Sequence, residues 1–326
     1  MLRRFRVDNF KSLINFTYEP TQVNLIVELN NSGKTNLCQA MRFLSLSSSL
    51  PLSQAAVLAT GEAWNLPNSY FAKPTIEFEC TCDLPFEGNT LRFEYALVID
   101  TQLTTIAGSI VRRFAVSSEL LQVTGGEFTS VVLLENKNGQ ARVLREQRFL
   151  SNSSGVGQVD DLSHSYMELP APEDSTLLSR IYNADFLRRV NLFKNYLLSW
   201  RYYDLEAMQL RRTDAQPLEL TLRPDGSNLI SVLFNLNNLN QRLYRQVIEV
   251  VKGIEPRLEV INFIPINPQN VYMLVEDRKG NRFGPAMLSN GTLRFLALCY
   301  ILLSGGTLAY STLQPPPLTI IEEPGN

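Results

Sequence analysis

Apolar and polar residues alternate with a period of two from Ile76 to Cys82, placing Ile76, Phe78, Cys80 and Cys82 on one face and Glu77, Glu79 and Asp83 on the other. That is the pattern of a strand with one face in a core and one in water. Similar runs at Leu91 to Ile99 and Ser130 to Glu135 predict an antiparallel sheet between Pro74 and about Gln147. The period lengthens to that of a helix at Leu37, Ala40, Met41 and Leu44, and again at Phe295, Leu296, Leu298, Ile301 and Leu302. Leu177 to Trp200 and Leu229 to Val251 also read as helices, and Leu258 to Phe283 as strands joined at the turn Lys279-Gly280-Asn281. Ser45 to Ala72 has no clear period and predicts a loop with short helices, while the polar Gly155 to Asp174 predicts an exposed linker. No internal repeat and no long heptad run is present.

Two short apolar runs break both periods: Leu25-Ile26-Val27, and Leu318-Thr319-Ile320-Ile321. Each predicts a strand, the second one buried on both faces as in a parallel sheet. The first leads into Asn30-Asn31-Ser32-Gly33-Lys34-Thr35, directly before the helix at Leu37 to Leu44. Strand, Gly-containing turn and helix in that order suit a phosphate, which backbone N–H groups and the helix dipole both favour. Lys34 would reach the β- and γ-phosphates, and the Thr35 hydroxyl would join the shell of Mg²⁺. A chance Gly-Lys-Thr in a loop is the bland alternative, and it requires the flanking strand and helix to be accidents too. One position disagrees: the first Gly of the P-loop pattern is replaced by Glu28, whose carboxylate would repel phosphate and whose side chain would strain the turn.

Near the other end, Leu288-Ser289-Asn290-Gly291-Thr292-Leu293-Arg294 opens an apolar helix, and the second short run ends in Glu322-Glu323-Pro324. On a buried parallel strand, Glu322 would hold metal and Glu323 would orient or deprotonate an attacking water. Alone, an acid pair is more often a strand end turning into solvent. Here it closes a chain that carries a P-loop string and an L-S-x-G string.

At these residues the chain resembles the ABC-type ATPases of the RecF and SMC kind, including the stand-alone bacterial AAA ATPases related to OLD-family proteins. Asn9-Phe10-Lys11-Ser12-Leu13 is similar to that family's N-terminal strand and turn, and Asn30 to Asn36 to its Walker A. Asp225-Gly226-Ser227-Asn228-Leu229 resembles its "DGSNL" segment, Leu288 to Leu298 its signature helix, and Ile320 to Asn326 its Walker B. The resemblance implies an α/β fold: an ABC-type P-loop NTPase head with an antiparallel β subdomain and a helical insertion. It implies one interrupted domain, with a Walker A half at 1–44, an insertion at 45–200, helices and strands at 201–283, and signature helix and Walker B at 284–326. Its cofactors would be ATP and Mg²⁺. Lys11, Asn30, Asn31, Ser32, Gly33, Lys34, Thr35 and Asn36 would bind nucleotide, Thr35 and Glu322 the metal, and Glu323 would be catalytic. Ser289 and Gly291 of a second copy would cap the γ-phosphate, making a homodimer closed by ATP and opened by hydrolysis. Such heads drive DNA repair or antiphage defence, with possible DNA and a nuclease or effector as partners.

The chain departs from the family at Glu28, where Gly is usual, and at Gly325, where Glu is usual. The family continues past Walker B into a D-loop and a switch histidine, whereas the sequence stops at Asn326 and its single histidine, His164, lies in a polar stretch far upstream. These departures support an alternative from another class: a nucleotide-gated binding scaffold, or a degenerate copy or fragment that does not hydrolyse. A P-loop kinase or GTPase is disfavoured by the L-S-x-G string.

Composition narrows the partners. Over 326 residues, 30 Lys and Arg face 32 Asp and Glu for a formal charge of −2, so the whole chain carries no nucleic-acid footprint. The basic pairs Arg3-Arg4, Arg112-Arg113, Arg188-Arg189 and Arg211-Arg212 would form a groove only if the fold gathered them; solvated faces are the simpler reading. Trp200-Arg201-Tyr202-Tyr203-Asp204, followed by Arg211 and Arg212, could stack bases, but a packed helix end joining two lobes is the better reading of the segment. No apolar run reaches the ~18 residues of a membrane helix, and Met1-Leu2-Arg3-Arg4 passes straight into a strand pattern, so a cytoplasmic protein with no membrane partner is expected. Cys80 and Cys82 sit on the apolar face of their strand, which favours core thiols over a C-x-C metal site.

Overall fold

The computed structural model describes residues 1–27, 33–68, 70, 73–106, 108–125, 128–137, 139–146, 165–212, 219–267, 270–305 and 318–322. The chain divides into two compact units, Met1–Trp200 and Arg201–Asn326. In the first, β1 (Leu2–Asp8) and β2 (Phe16–Tyr18) precede α1 (Lys34–Ser47) and α2 (Leu52–Thr60). Then come β3 (Thr75–Phe86), β4 (Asn89–Ile106), β5 (Ser109–Gly125), β6 (Phe128–Lys137), β7 (Gln140–Leu144) and β8 (Tyr166–Pro170), and finally α3 (Leu177–Arg180) and α4 (Arg188–Leu198).

These strands form one eight-stranded sheet in the order β2-β1-β3-β4-β5-β6-β7-β8, antiparallel at every pairing. The alternation on β3 is as the sequence predicts, with Ile76, Phe78, Cys80 and Cys82 buried and the thiols free. Because β1 pairs with β3, Phe5 and Phe78 enter one core, where Phe78 also meets Phe43 of α1 at 5.5 Å between ring centroids. β8 lies inside the stretch expected to be an exposed linker: its edge position leaves its alternate side chains in water, so the composition is polar although the backbone has a ladder. The helix expected at Leu177 to Trp200 is broken into α3 and α4 by a non-helical segment at 181–184.

Two buried acids tie the helical segments to the sheet. Glu119 on β5 is fully buried and accepts hydrogen bonds from Tyr95 Oη and from the backbone N–H groups of Leu177 and Leu178. Glu146 pairs with Arg189 of α4 at 3.0 Å, both side chains almost wholly buried.

The second unit contains β9 (Arg201–Asp204), α5 (Leu229–Leu239), α6 (Gln241–Ile254), β10 (Leu258–Asn267), β11 (Asn270–Asp277), β12 (Arg282–Phe283), α7 (Asn290–Ser304) and β13 (Thr319–Glu322). β10, β11 and β12 make an antiparallel sheet, and β13 pairs with β9 in parallel. Its core gathers Leu229, Val232, Leu233 and Leu236 of α5, Met273 and Val275 of β11, and Leu293, Leu296 and Tyr300 of α7. The single helix expected over Leu229 to Val251 is two, because Asn240 takes a non-helical φ of −146° and its side chain caps α6 through Leu243 N–H. The turn at Lys279-Gly280-Asn281 is present, organised by the Asp277 carboxylate, which accepts from the backbone of Lys279 and Asn281. No described helix is long and apolar enough to cross a membrane.

Candidate functional site

α1 begins at Lys34, one residue after Gly33, which holds φ 112° and ψ 6°. Gly33 is the N-cap and has no side chain to close the helix end, while α1 buries Leu37, Ala40, Met41 and Leu44 as its periodicity requires. Over this end lies the turn Asn9 to Leu13. Its Phe10 is fully buried, 6.0 Å from Phe43 and 5.9 Å from Phe78, so the following residues must emerge from the core beside α1. Lys11 Nζ donates to Gln39 Oε1 at 2.8 Å, and Asn36 Nδ2 donates to Ser12 Oγ at 2.7 Å. A Cβ at Gly33 would stand 2.8 Å from that same Ser12 oxygen, so only glycine allows this approach. Burial lowers the Lys11 pKa, with the nearby Glu62 acting the other way.

Of the predicted phosphate-binding residues, Lys11, Gly33, Lys34, Thr35 and Asn36 thus meet at one helix end, with Lys34 half-buried and Thr35 exposed. A cation, a helix N-terminus and a glycine cradle fit an anionic ligand. Glu28, Asn30, Asn31 and Ser32 lie outside the described residues. The strand expected at Leu25-Ile26-Val27 is absent: the segment is irregular, and Val23, Leu25 and Val27 are 88%, 85% and 77% exposed. Apolar sequence alone does not make a strand; its N–H and C=O groups need a neighbouring ladder, and none is present here among the described residues.

In the second unit, Ser289 is the N-cap of α7, its Oγ accepting from Thr292 N–H at 3.0 Å. Gly291 is exposed, and a Cβ there would meet nothing nearer than Ser289 Oγ at 3.8 Å. The helix start is held from behind: Arg211 donates to the carbonyls of Ala207 and Leu288, both at 2.8 Å, and Arg294 donates to the Leu205 carbonyl at 3.1 Å. Met208 and Met287, next to the carbonyls that Arg211 joins, are 82% and 77% exposed.

β13 and β9 run in register, Thr319 beside Arg201 and Glu322 beside Asp204. The aromatic segment read as a packed helix end is therefore a strand, with Tyr203 in the core, and this pairing places two carboxylates at neighbouring strand ends. Tyr202 Oη donates to Glu322, one step along the same sheet face. Glu322 is half-buried, whereas Glu323, Gly325 and Asn326 lie outside the described residues, as does His164. Sequence reasoning named Tyr202 and Asp204 only within an aromatic segment and missed their place beside Glu322, and it missed Gln39. Only Gln39 carried a signal, lying one helical turn after Thr35.

The Asp225 to Leu229 segment is a built turn. Gly226 has φ 77° and packs against Leu210, Asp225 accepts from Ser227 N–H, and Asn228 accepts from Arg223 N–H and donates to the Thr221 carbonyl before α5 begins. The basic pairs of the first unit are met by acids or an aromatic ring. Arg3 pairs with Asp83, Arg4 and Arg6 with Glu79, Arg113 with Glu173, Arg188 with Glu87 and Arg189 with Glu146, while Arg112 lies over the Trp64 ring. Arg211, considered for stacking bases, is committed to backbone carbonyls.

A glycine cradle and lysines at the start of a helix, in a chain of mixed helices and sheet, fit the anion site of a P-loop protein of the α/β class. A family model described as "AAA domain, putative AbiEii toxin, Type IV TA system" matches residues 29–326, and the chain belongs to this family of AAA-domain ATPases. No curated protein matches it.

Proposed function

We propose that this chain is an ATP-binding, ATP-hydrolysing module of the ABC type, whose ATP-dependent dimerisation serves antiphage defence or DNA repair. The observation that carries the reading is the convergence of Lys11, Gly33 and Asn36 on the exposed start of α1, within a chain of the AAA-domain family. Lys34 would hold the phosphates, and Thr35 and Glu322 are the residues that would hold Mg²⁺, whose chemistry would be to neutralise charge on the phosphoryl group. Glu323 orients or deprotonates the attacking water. Ser289 and Gly291 of a second copy close over the γ-phosphate, and the exposed Met208 and Met287 supply apolar area near that helix start. The family's description as a type IV toxin–antitoxin protein favours defence over repair. A nuclease or effector partner and DNA as its target belong to the same proposal, in a cytoplasmic setting.

The test is titration calorimetry of Mg-ATP on the full chain. Lys34→Ala should weaken binding at least tenfold, about 1.4 kcal/mol for a charge-assisted contact. Equal affinity of variant and parent removes the P-loop reading. A second reading, a nucleotide-gated scaffold without turnover, is favoured by Glu28 and Gly325. It predicts ATP-dependent dimers, seen by light scattering, with no phosphate release.

A further inference from the structure

Lys11 and Asn9 have left-handed backbones, φ 49° and 60°, which are unfavourable for residues with a Cβ. Such conformations persist where surrounding contacts over-determine them, and they concentrate at functional sites. Here the contacts are specific. Lys11 N–H donates to the Leu66 carbonyl at 2.6 Å, and Asn68 Nδ2 donates to the Lys11 carbonyl at 2.5 Å. Asn9 Nδ2 donates to the carbonyls of Lys73 and Thr75 at 2.9 and 2.7 Å, and Asn9 Oδ1 accepts from Asn68 N–H at 3.2 Å. Phe10 and Leu13 exchange backbone hydrogen bonds at 3.1 and 2.8 Å. All of this fixes where the Lys11 side chain leaves the turn, and its far end is fixed by one further contact, with Gln39.

We infer that Gln39 is a positioning residue for nucleotide binding, holding the Lys11 ammonium on the face of α1 that carries Thr35. The inference rests on the nucleotide reading above and deepens it. Gln39 stands four residues after Thr35, hence one turn away on the same face. Its amide oxygen orients the ammonium yet leaves the positive charge uncancelled, which a carboxylate at this position would not. The half-buried ammonium has already shed part of its hydration, as its lowered pKa reflects, so less remains to be lost when a phosphate arrives. A long, flexible side chain held in place also loses less rotamer freedom on binding.

The experiment is a double-mutant cycle read by Mg-ATP calorimetry on the full chain, with Gln39→Leu, Lys11→Ala and the pair. Gln39→Leu should weaken binding about fivefold in the parent, the scale of a charge-assisted hydrogen bond, and have almost no effect in the Lys11→Ala background. Gln39→Met, which keeps the side-chain length and suits a helix, should repeat the result if Gln39→Leu lowers the melting midpoint. Binding unchanged by both variants, or an equal loss with and without Lys11, overturns the inference and leaves Gln39 a brace for the helix. A parent that binds no Mg-ATP sinks the nucleotide reading and this inference together. A parent that binds, with Lys34→Ala weakened and Gln39→Leu silent, sinks this inference alone.

Discussion

Replacing Gly33 by Ala tests the geometry at the head of α1 most directly. At φ 112° the backbone lies well beyond the left-handed well near about +57° that side chains tolerate, so a Cβ costs about 1 to 3 kcal/mol. The same Cβ would stand 2.8 Å from Ser12 Oγ, which must then retreat and give up the hydrogen bond from Asn36. At an exposed position that bond contributes about 0.5 to 1 kcal/mol, which brings the total strain to about 2 to 4 kcal/mol. The strain sits in the first turn of a 14-residue helix, and fraying that turn relieves it without unfolding the unit. The loss should therefore fall on ligand binding more than on melting. Since about 1.4 kcal/mol is tenfold, Mg-ATP affinity should drop by roughly thirtyfold to several hundredfold, with the melting midpoint lowered by only ~2 °C. Ser12→Gly in the same chain relieves the close approach but also removes the acceptor of the Asn36 bond, so it should restore little of the affinity and leave the backbone part in place. Calorimetry and thermal melting of parent, single and double variants read both quantities. If Gly33→Ala binds Mg-ATP within about twofold of the parent, the first turn of α1 is not where phosphate is held.

Glu119 should give the first unit a pH dependence. Burial lifts its pKa from 4.5 to about 7 against three hydrogen-bond donors, so the folded state holds the proton more tightly than the unfolded chain. The stability this confers is full below about pH 4.5 and is lost as pH rises through about 7, a loss of roughly 3 kcal/mol at most. Glu119→Gln should flatten the melting profile between pH 5 and 8 and, by setting amide N–H groups against backbone donors, cost about 1 to 3 kcal/mol throughout; parallel profiles for variant and parent would refute this account. Tyr202→Phe removes the hydroxyl that donates to Glu322, and half-saturation of nucleotide binding should shift to about threefold higher Mg²⁺, with no shift counting against a metal role for Glu322. Ser289→Arg should leave ATP affinity nearly intact and abolish ATP-dependent dimers in sizing experiments, whereas equal dimer fractions would place the contact surface elsewhere.

Patterns carried by near neighbours along the chain are legible from the residues alone. The alternation on β3 needs only a buried and a wet face, and the starts of α1 and α7 follow from Gly33 and Ser289 beside apolar helical periods. The signature and P-loop strings are visible for the same reason: a phosphate needs glycine, lysine and hydroxyl at short fixed spacings. Pairings between distant segments are not legible in this way. Whether an apolar run becomes a strand depends on a partner for its backbone, which Thr319 to Glu322 finds in Arg201 to Asp204 and Leu25 to Val27 does not find among the described residues. Likewise, no local rule announces that Lys11 meets Gln39, that Tyr202 donates to Glu322, or that Arg211 braces the start of α7 instead of facing a nucleic acid. Residue types and spacing set which chemistry the chain can perform; the direction in which each side chain points is decided by the core, because a buried Phe10 or Tyr203 determines which neighbours are left facing the site.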